Sequence, residues 1–190
     1  MAYTPCAQHI GANIAMDCSN PPRPGFTGDG VLIDLGAVTP VVTVSSTNPR
    51  IIESIALTGT GDKCAVVDNV WKDPFSGSAR TLNAENGRPS YDNTISIRVP
   101  SRSADTSKDI IEPLAKSHFL GIFPTVDKRF IVIGYYGKFQ ASENTQSEGE
   151  NGGDFAATMS ANEPYAVVEL KSTDYAATKT IYDALKAKAF

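Results

Sequence analysis

Histidine, cysteine and long apolar runs are scarce in this chain of 190 residues, which has two histidines and three cysteines. No apolar run approaches the roughly 20 residues that a transmembrane helix needs. Seventeen basic residues against 21 acidic ones give a net charge of −4, which excludes a broad basic surface that grips nucleic acid. The first residues, MAYTPCAQHIG, lack the basic start and apolar core of a secretory signal. We therefore expect a soluble protein made in a reducing cytoplasm.

The scarcity of histidine argues against nucleophilic catalysis, because only His9 and His118 could act as the base beside a serine or cysteine. No G-x-S-x-G elbow accompanies them. The spacing of Cys6, His9 and Cys18 matches no paired zinc-ligand pattern, and three cysteines are too few for a disulfide framework. We predict no enzymatic activity, no cofactor and no metal, with structural thiols. A Cys6–Cys18 bridge remains possible if the protein ends up outside a cell.

The β-branched residues are abundant: 13 Val, 14 Ile and 16 Thr stand against 8 Leu. This balance favours pleated packing over helical bundles. Short apolar runs separated by turn residues predict a mainly β fold of antiparallel strands. The predicted strands are 31–35, 41–45, 51–58, 64–70, 94–99, 130–133, 138–141, 155–160 and 165–170, with a weak signal at 79–82.

The chain divides into an extended, proline-rich arm at 1–28, a β-sandwich or barrel domain at 29–171 and a C-terminal helix at 172–190. A long polar loop spans 72–93, and a helix capped by Ser103 or Asp105 runs over 103–118 within the domain. The glycines after Ile133 suggest a tight hairpin or bulge. Thr173 or Asp174 is the expected cap of the C-terminal helix.

Between Gln140 and Leu170 the chain carries six acidic residues and no basic one, which makes a local negative field. Strand signals on both sides, around a turn at 162–164, place the acidic stretch in a loop that links strands.

The second half follows an order that resembles the tail tube proteins of tailed bacteriophages, especially those infecting gut Bacteroidales. The motifs that carry the resemblance are the run at 86–93 (NGRPSYDN), Arg98-Val99-Pro100, the strand at 130–135, the run at 136–139 (YGKF), and Gly153-Asp154-Phe155 after an acidic, glycine-rich loop. Cys6 and Cys18 in the arm are similar too. The resemblance covers roughly residues 6–170. Lys138-Phe139 and the long terminal helix depart from the pattern, and these departures leave room for a ring or connector protein of the same fold instead of the repeating tube subunit.

The resemblance implies a tail-tube-like sandwich or barrel with a flanking helix that assembles into a ring, of six or twelve copies, lining a DNA channel. It implies a virion protein of the tail or neck, made in the host cytoplasm, with neighbouring tail, portal and neck proteins as partners. DNA would pass without specific binding, and no membrane is involved.

Arms and long loops can bury surface on neighbouring copies, so the 1–28 arm is a candidate interface, and so is the 72–93 loop. Its interface residues would be Trp71, Pro74, Phe75, Arg88 and Tyr91, although Trp71 could equally close the subunit's own core. The candidate channel-lining residues are Glu143, Glu148, Glu150 and Asp154, because an acidic wall repels DNA. The same loop fits an outer or ring-stacking face equally well.

A second hypothesis comes from a different class of protein. A carbohydrate-binding or adhesin-like β-sandwich would use exposed aromatic residues as sugar platforms, and Tyr135, Tyr136 and Trp71 are the candidates.

Overall fold

The computed structural model of the protein describes residues 25–67, 79–83, 90–99, 107–146, 155–171 and 174–190. These residues form strands with two short helical segments. The strands are β1 (Gly30–Asp34), β2 (Val41–Val44), β3 (Ile51–Ala56), β4 (Ala65–Val67), β5 (Ala79–Asn83), β6 (Ser90–Val99), β7 (His118–Pro124), β8 (Phe130–Ile133), β9 (Phe139–Gln146), β10 (Phe155–Glu163) and β11 (Glu169–Leu170). A π-helical turn, Ser107–Ile111, leads into α1 (Glu112–Lys116), and α2 is Tyr175–Lys186.

The strands make one mixed sheet in the order β2-β3-β11-β8-β7-β9-β10-β6-β5, with β1 pairing both β7 and β4. The pairings are antiparallel except for β11 with β3, which is parallel. The sheet is therefore almost entirely antiparallel, and the expected mainly β fold with a flanking helix and a C-terminal helix is confirmed.

Two hydrophobic cores lie on opposite faces of the central strands, because successive strand residues point to opposite faces. Val31 and Ile33 of β1 enter one core, and Leu32 enters the other. We call the first the helix-side core, since α2 contributes to it; its buried members are Val31, Ile33, Ile52, Ile55, Leu57, Cys64, Leu120, Ile122, Phe130, Val132, Val168, Leu170, Tyr182 and Leu185. The second, the sheet-side core, comprises Leu32, Ile95, Ile97, Leu114, Phe119, Phe123, Ile133, Phe139, Ala157, Met159 and Ala161.

The sheet folds over its own central strands at the junction of β7 and β9. Only two residue pairs join these strands, His118 with Gln140 and Phe119 with Phe139. Beyond that junction, β9, β10 and β6 direct side chains into the sheet-side core that the central strands also fill. The result is a sandwich-like arrangement with the central strands buried on both faces.

The helix predicted over 103–118 is shorter in the structure. Within its described part, α1 ends at Lys116, Ser117 is extended with ψ 173°, and His118 begins β7. The apolar run that follows fills both cores as the central strand of the sheet, so the chain leaves the helix early.

The prediction of a hairpin after Ile133 is also wrong, because β8 and β9 do not form one. β7 lies between β8 and β9, and these two strands do not pair. The following strand is longer than predicted, so Glu143 belongs to β9, opposite Thr158 of β10, and not to the acidic loop.

Part of the loop predicted at 72–93 is strand. Residues 79–83 form β5, which pairs with the start of β6 from Ser90 to Thr94. The turn predicted at 162–164 begins two residues later than expected, at Pro164, because Asn162 and Glu163 complete β10. The strand predicted at 165–170 is reduced to Glu169–Leu170.

Candidate interaction surface

Most of the residues predicted for the interface and channel lie outside the described residues. These are Trp71, Pro74, Phe75, Arg88, Glu148, Glu150 and Asp154, and the same holds for Cys6, His9, Cys18 and the arm up to residue 24. Of the arm, Phe26 forms a bridge with Thr125. Of the channel candidates, Glu143 is described only in its backbone, as a residue of β9.

Tyr91 lies inside the sheet, in β6. Its partners are Leu82 of β5 on one side and Glu163 of β10 on the other, and its side chain is half-buried. Its contact with a neighbouring copy stays a prediction.

The clearest aromatic surface is the turn after β8, which we call the tyrosine turn (residues 134–137). Tyr135 and Tyr136 are each 37% exposed, and their rings meet edge to face at a centroid distance of 4.7 Å. Tyr136 also meets Tyr165 edge to face at 5.1 Å, and its hydroxyl donates to the carbonyl of Pro49. Edge-to-face packing stabilises such pairs beyond their buried area.

An arginine extends this surface. The Arg50 guanidinium lies 5.3 Å from the centre of the Tyr165 ring, within the range of a cation–π interaction. The residues that contact these tyrosines therefore come from the segment just before β3, from the 134–137 turn itself and from the segment after β10.

The buried side chain of Glu163 accepts hydrogen bonds from the backbone of the tyrosine turn. It is 1% exposed, and its Oε1 accepts from the Gly134 amide at 2.9 Å. Its Oε2 accepts from Asn93 Nδ2 at 2.9 Å, and the Tyr136 amide also donates to it. A buried carboxylate is stabilised only when such donors satisfy it.

The orientation of the Asn93 amide follows from its other neighbour. Arg80 Nε donates to Asn93 Oδ1 at 2.7 Å, and an arginine has no acceptor. The Asn93 nitrogen must therefore face Glu163. Arg80 of β5 therefore donates to Asn93 of β6, and Asn93 donates to the Glu163 carboxylate at the end of β10.

Burial raises the pKa of Glu163, while the hydrogen bonds from Gly134, Tyr136 and Asn93 and the Arg80 charge oppose that rise. Burial also lowers the pKa of Arg80, and the Glu163 charge opposes this. Each group therefore favours the charged state of the other.

Two glycines fit the tyrosine turn closely against the sheet. Gly134 has φ +96°, and a Cβ there would lie 2.2 Å from the carbonyl oxygen of Phe119. A Cβ on Gly137 would lie 2.1 Å from the carbonyl oxygen of Asn162. Side chains are thus excluded at both ends of the turn, and Tyr135 and Tyr136 project from a tightly held backbone.

A groove of about 340 Å³ opens beside Tyr135. Its other lining residues are Leu35, Pro40, Val42, Leu120 and Gly134. Among the described residues that line it, no side chain is charged, so we call this the apolar groove. A second cavity, of about 300 Å³, has isoleucines at Ile95, Ile131 and Ile133 and a polar rim that includes Arg80, Asn93, Asp127 and Arg129.

Both ends of the described sheet expose a large apolar side chain. Val41 of β2 is 53% exposed, and Leu82 of β5 is 58% exposed. Among the described strands, β2 pairs only with β3 and β5 only with β6; the three-residue β4 pairs only with β1. Unpaired strand edges with apolar side chains favour contacts with another chain.

The other residues singled out from the sequence occupy structural positions. Cys64 is buried, its thiol donates to the Leu185 carbonyl at 3.1 Å, and burial raises its pKa, so the reactive thiolate is disfavoured. His118 is half-buried at the start of β7, and its carbonyl accepts from the Leu35 amide. Elsewhere, Gly59-Thr60-Gly61 forms a turn in which the Asp62 carboxylate accepts from the Gly59 amide, and the strands on either side of it, β3 and β4, do not pair with each other.

In the part of the chain that the structure describes, no group of three or more histidine, cysteine or acidic side chains is placed to hold a metal. None of the helices described here has the length and apolar character needed to cross a membrane.

Comparison of the chain with protein-family models, with curated proteins and with solved structures gives no match in any of the three.

Proposed function

We propose that this protein is a structural subunit of a tailed-bacteriophage virion, a tail tube or neck protein that forms a ring around the channel for genome delivery. The observation that carries the proposal is the pair of apolar sheet edges. Val41 lies at one edge and Leu82 at the other, in strands of different sequence, so a contact of β2 in one copy with β5 in the next is head-to-tail. Head-to-tail contacts that close generate rings. The resemblance noted in the sequence adds the virion setting.

The fold supports a building block in a second way. Neither β2 (VVTV) nor β5 (ARTLN) presents the row of charges that commonly protects an exposed sheet edge. Burial of Val41 and Leu82 against a neighbour would remove apolar surface from water. The acidic residues Glu143, Glu148, Glu150 and Asp154 remain the candidates for the channel wall.

The test is the size and shape of the full-length protein, measured by sedimentation velocity and negative-stain imaging. We expect rings. The variants Val41→Lys and Leu82→Asp should each abolish the rings and leave the far-ultraviolet circular dichroism unchanged. The matched control is Ile110→Lys, since Ile110 is 44% exposed but lies at neither edge. A wild-type protein that is monomeric at all concentrations, or rings that survive both edge variants, would contradict the proposal.

A carbohydrate-binding module is the second candidate, and the exposure of Tyr135 and Tyr136 side by side favours it. Such a protein would be a monomer that polysaccharide retards in native electrophoresis. Tyr135→Ala should remove that retardation, whereas Tyr175→Ala, which changes an exposed tyrosine on α2, should not.

A further inference from the structure

The apolar groove is shaped for an extended apolar segment and offers little to a sugar. The side chains that line it in the described part of the chain are Leu35, Pro40, Val42, Leu120 and Tyr135, and none of these carries an amide or a carboxylate. Sugars need hydrogen-bonding side chains around the stacking ring, because a buried hydroxyl without a partner costs free energy. The groove volume of about 340 Å³ is at the lower end of ligand sites.

The aromatic wall of the groove is held in a fixed position. Glu163 binds the Gly134 amide, Tyr136 donates to Pro49, and Gly134 packs on the backbone of Phe119. A rigid tyrosine wall beside an apolar groove is the arrangement that recognises proline in an extended segment, since such a segment loses little conformational entropy on binding.

The chain itself contains a segment of this chemistry. Pro21, Pro22 and Pro24 lie close together just before the described fold begins at Gly25. Proline fixes its own φ and favours an extended residue before it.

Pro22 and Pro24 cannot reach Leu120 in the groove of their own copy. Phe26 bridges Thr125, and Thr125 lies five residues from Leu120, about 17 Å along a strand. Pro22 is four residues from Phe26 and so reaches at most about 14 Å; Pro24 reaches less. Pro21, five residues from Phe26, spans about 17 Å only when the chain is fully extended toward Leu120. The preceding residues also lead away from Leu120, because Thr27 bonds Pro124 while Gly25 bonds Val126.

We propose that the apolar groove binds the proline segment 21–24 of a second copy of this chain. The partner copy rests on the proposed function, whereas the chemistry of the groove does not. The segment leaves one copy close to Thr125 and enters its neighbour beside β2, so the contact is head-to-tail and can be repeated around a ring.

The first test uses a synthetic peptide of residues 19–26 added to the isotope-labelled full-length Leu82→Asp variant. We expect saturable nuclear magnetic resonance shifts at Tyr135, Leu35 and Leu120. A peptide with serine at positions 21, 22 and 24 should bind at least about tenfold more weakly, as should the natural peptide to a protein that also carries Tyr135→Ala. Adding Tyr175→Ala instead should leave the affinity unchanged.

Equal binding of the two peptides, or shifts confined to residues outside the groove, would overturn the proposal. The Leu82→Asp background separates it from the proposed function: loss of rings in that variant tests the sheet edges, and the peptide affinity tests the groove.

The second test mixes two full-length variants. Tyr135→Ala damages the groove and the double change Pro22→Ser, Pro24→Ser damages the segment, so each should be monomeric alone. The mixture should form dimers, since one intact groove then meets one intact segment. A mixture that stays monomeric, or either variant forming normal rings alone, would overturn the proposal, and Tyr175→Ala serves as the folded control.

Discussion

At the scale of single residues, Glu163 is the side chain on which the polar contacts under the tyrosine turn converge. Donors from β6 and from the turn reach its two oxygens, and Arg80 lies behind Asn93. An ionised carboxylate is acceptor-only, so it satisfies several donors at once. The side chain thereby fixes the turn to the end of β10.

Glu163→Ala should lower the free energy of unfolding by about 3 kcal/mol, because the Gly134 amide and Asn93 Nδ2 lose their acceptor while buried. Urea denaturation followed by circular dichroism measures the change. Glu112→Ala is the control: Glu112 is exposed and pairs only with Lys116 one helical turn away, so its removal should be close to neutral. Equal stabilities of the two variants would show that the network contributes nothing.

The same residue predicts a pH dependence of known sign. Burial raises the folded-state pKa of Glu163, so the folded protein binds this proton more tightly than the unfolded chain does. The part of its stabilisation that depends on the bound proton is therefore fully present below the ordinary carboxyl pKa and is lost as the pH rises through the raised value. The stability difference between wild type and Glu163→Ala should shrink over that window. A difference that grows with pH would contradict the raised pKa.

At the scale of elements, the tyrosine turn depends on backbone that only glycine adopts. Gly134→Ala should destabilise the protein by more than about 2 kcal/mol, because it adds a Cβ at positive φ and against the Phe119 carbonyl. Gly61→Ala is the matched control, since nothing lies within 4 Å of its added Cβ. Thermal unfolding distinguishes them; an unchanged midpoint for Gly134→Ala would mean that the turn relaxes without cost.

The C-terminal helix begins at a strong cap. Asp174 accepts from the amides of Ala176 and Ala177 at 3.0 and 3.3 Å, so Asp174→Ala should cost about 1 kcal/mol. Asp183→Ala removes only an exposed pair with Lys179 and should cost less. Chemical denaturation of both variants provides the comparison, and the reverse ranking would contradict the capping role.

Most elements are predictable because their signals are local. The sequence predicts the positions of β1, β2, β3 and β8, and Asp174 as one of two caps for α2. β7 escapes prediction because it is buried on both faces, so its apolar run 119–123 lacks the alternation that identifies a strand. The same strand separates β8 from β9, which no local hairpin signal reveals.

The candidate surface is predictable only in part. Tyr135 and Tyr136 stand out as aromatic residues, and the structure places them together on the surface. Nothing in the local sequence predicts that Glu163 is buried. Asn-Glu-Pro has the pattern of a turn, yet Glu163 completes β10 and is buried. Its role depends on Asn93 and Gly134, which are distant in sequence. Val41 and Leu82 become edge residues only through strand order, which composition does not encode.

At the scale of the whole molecule, the two cores are joined by common strands. β1, β7 and β8 supply side chains to both, so neither core is complete without the other. Leu185→Ala in the helix-side core and Ile97→Ala in the sheet-side core should each cost about 2–5 kcal/mol.

Both variants should also unfold in a single transition. Far-ultraviolet circular dichroism and tyrosine near-ultraviolet signals should give the same midpoint. Separate midpoints in either variant would show that the cores fold as independent units.

The place of β1 at the centre of the sheet has a consequence for biosynthesis. Ile33 pairs with Leu120, and the helix-side core is closed by Leu185 near the end of the chain. On the ribosome, β1 therefore emerges long before β7 and α2, which complete its core. Contacts so far apart in sequence form slowly, and a chain that stops before α2 would expose β1 to aggregation. Nascent chains of this protein should consequently depend on chaperone protection until α2 has emerged.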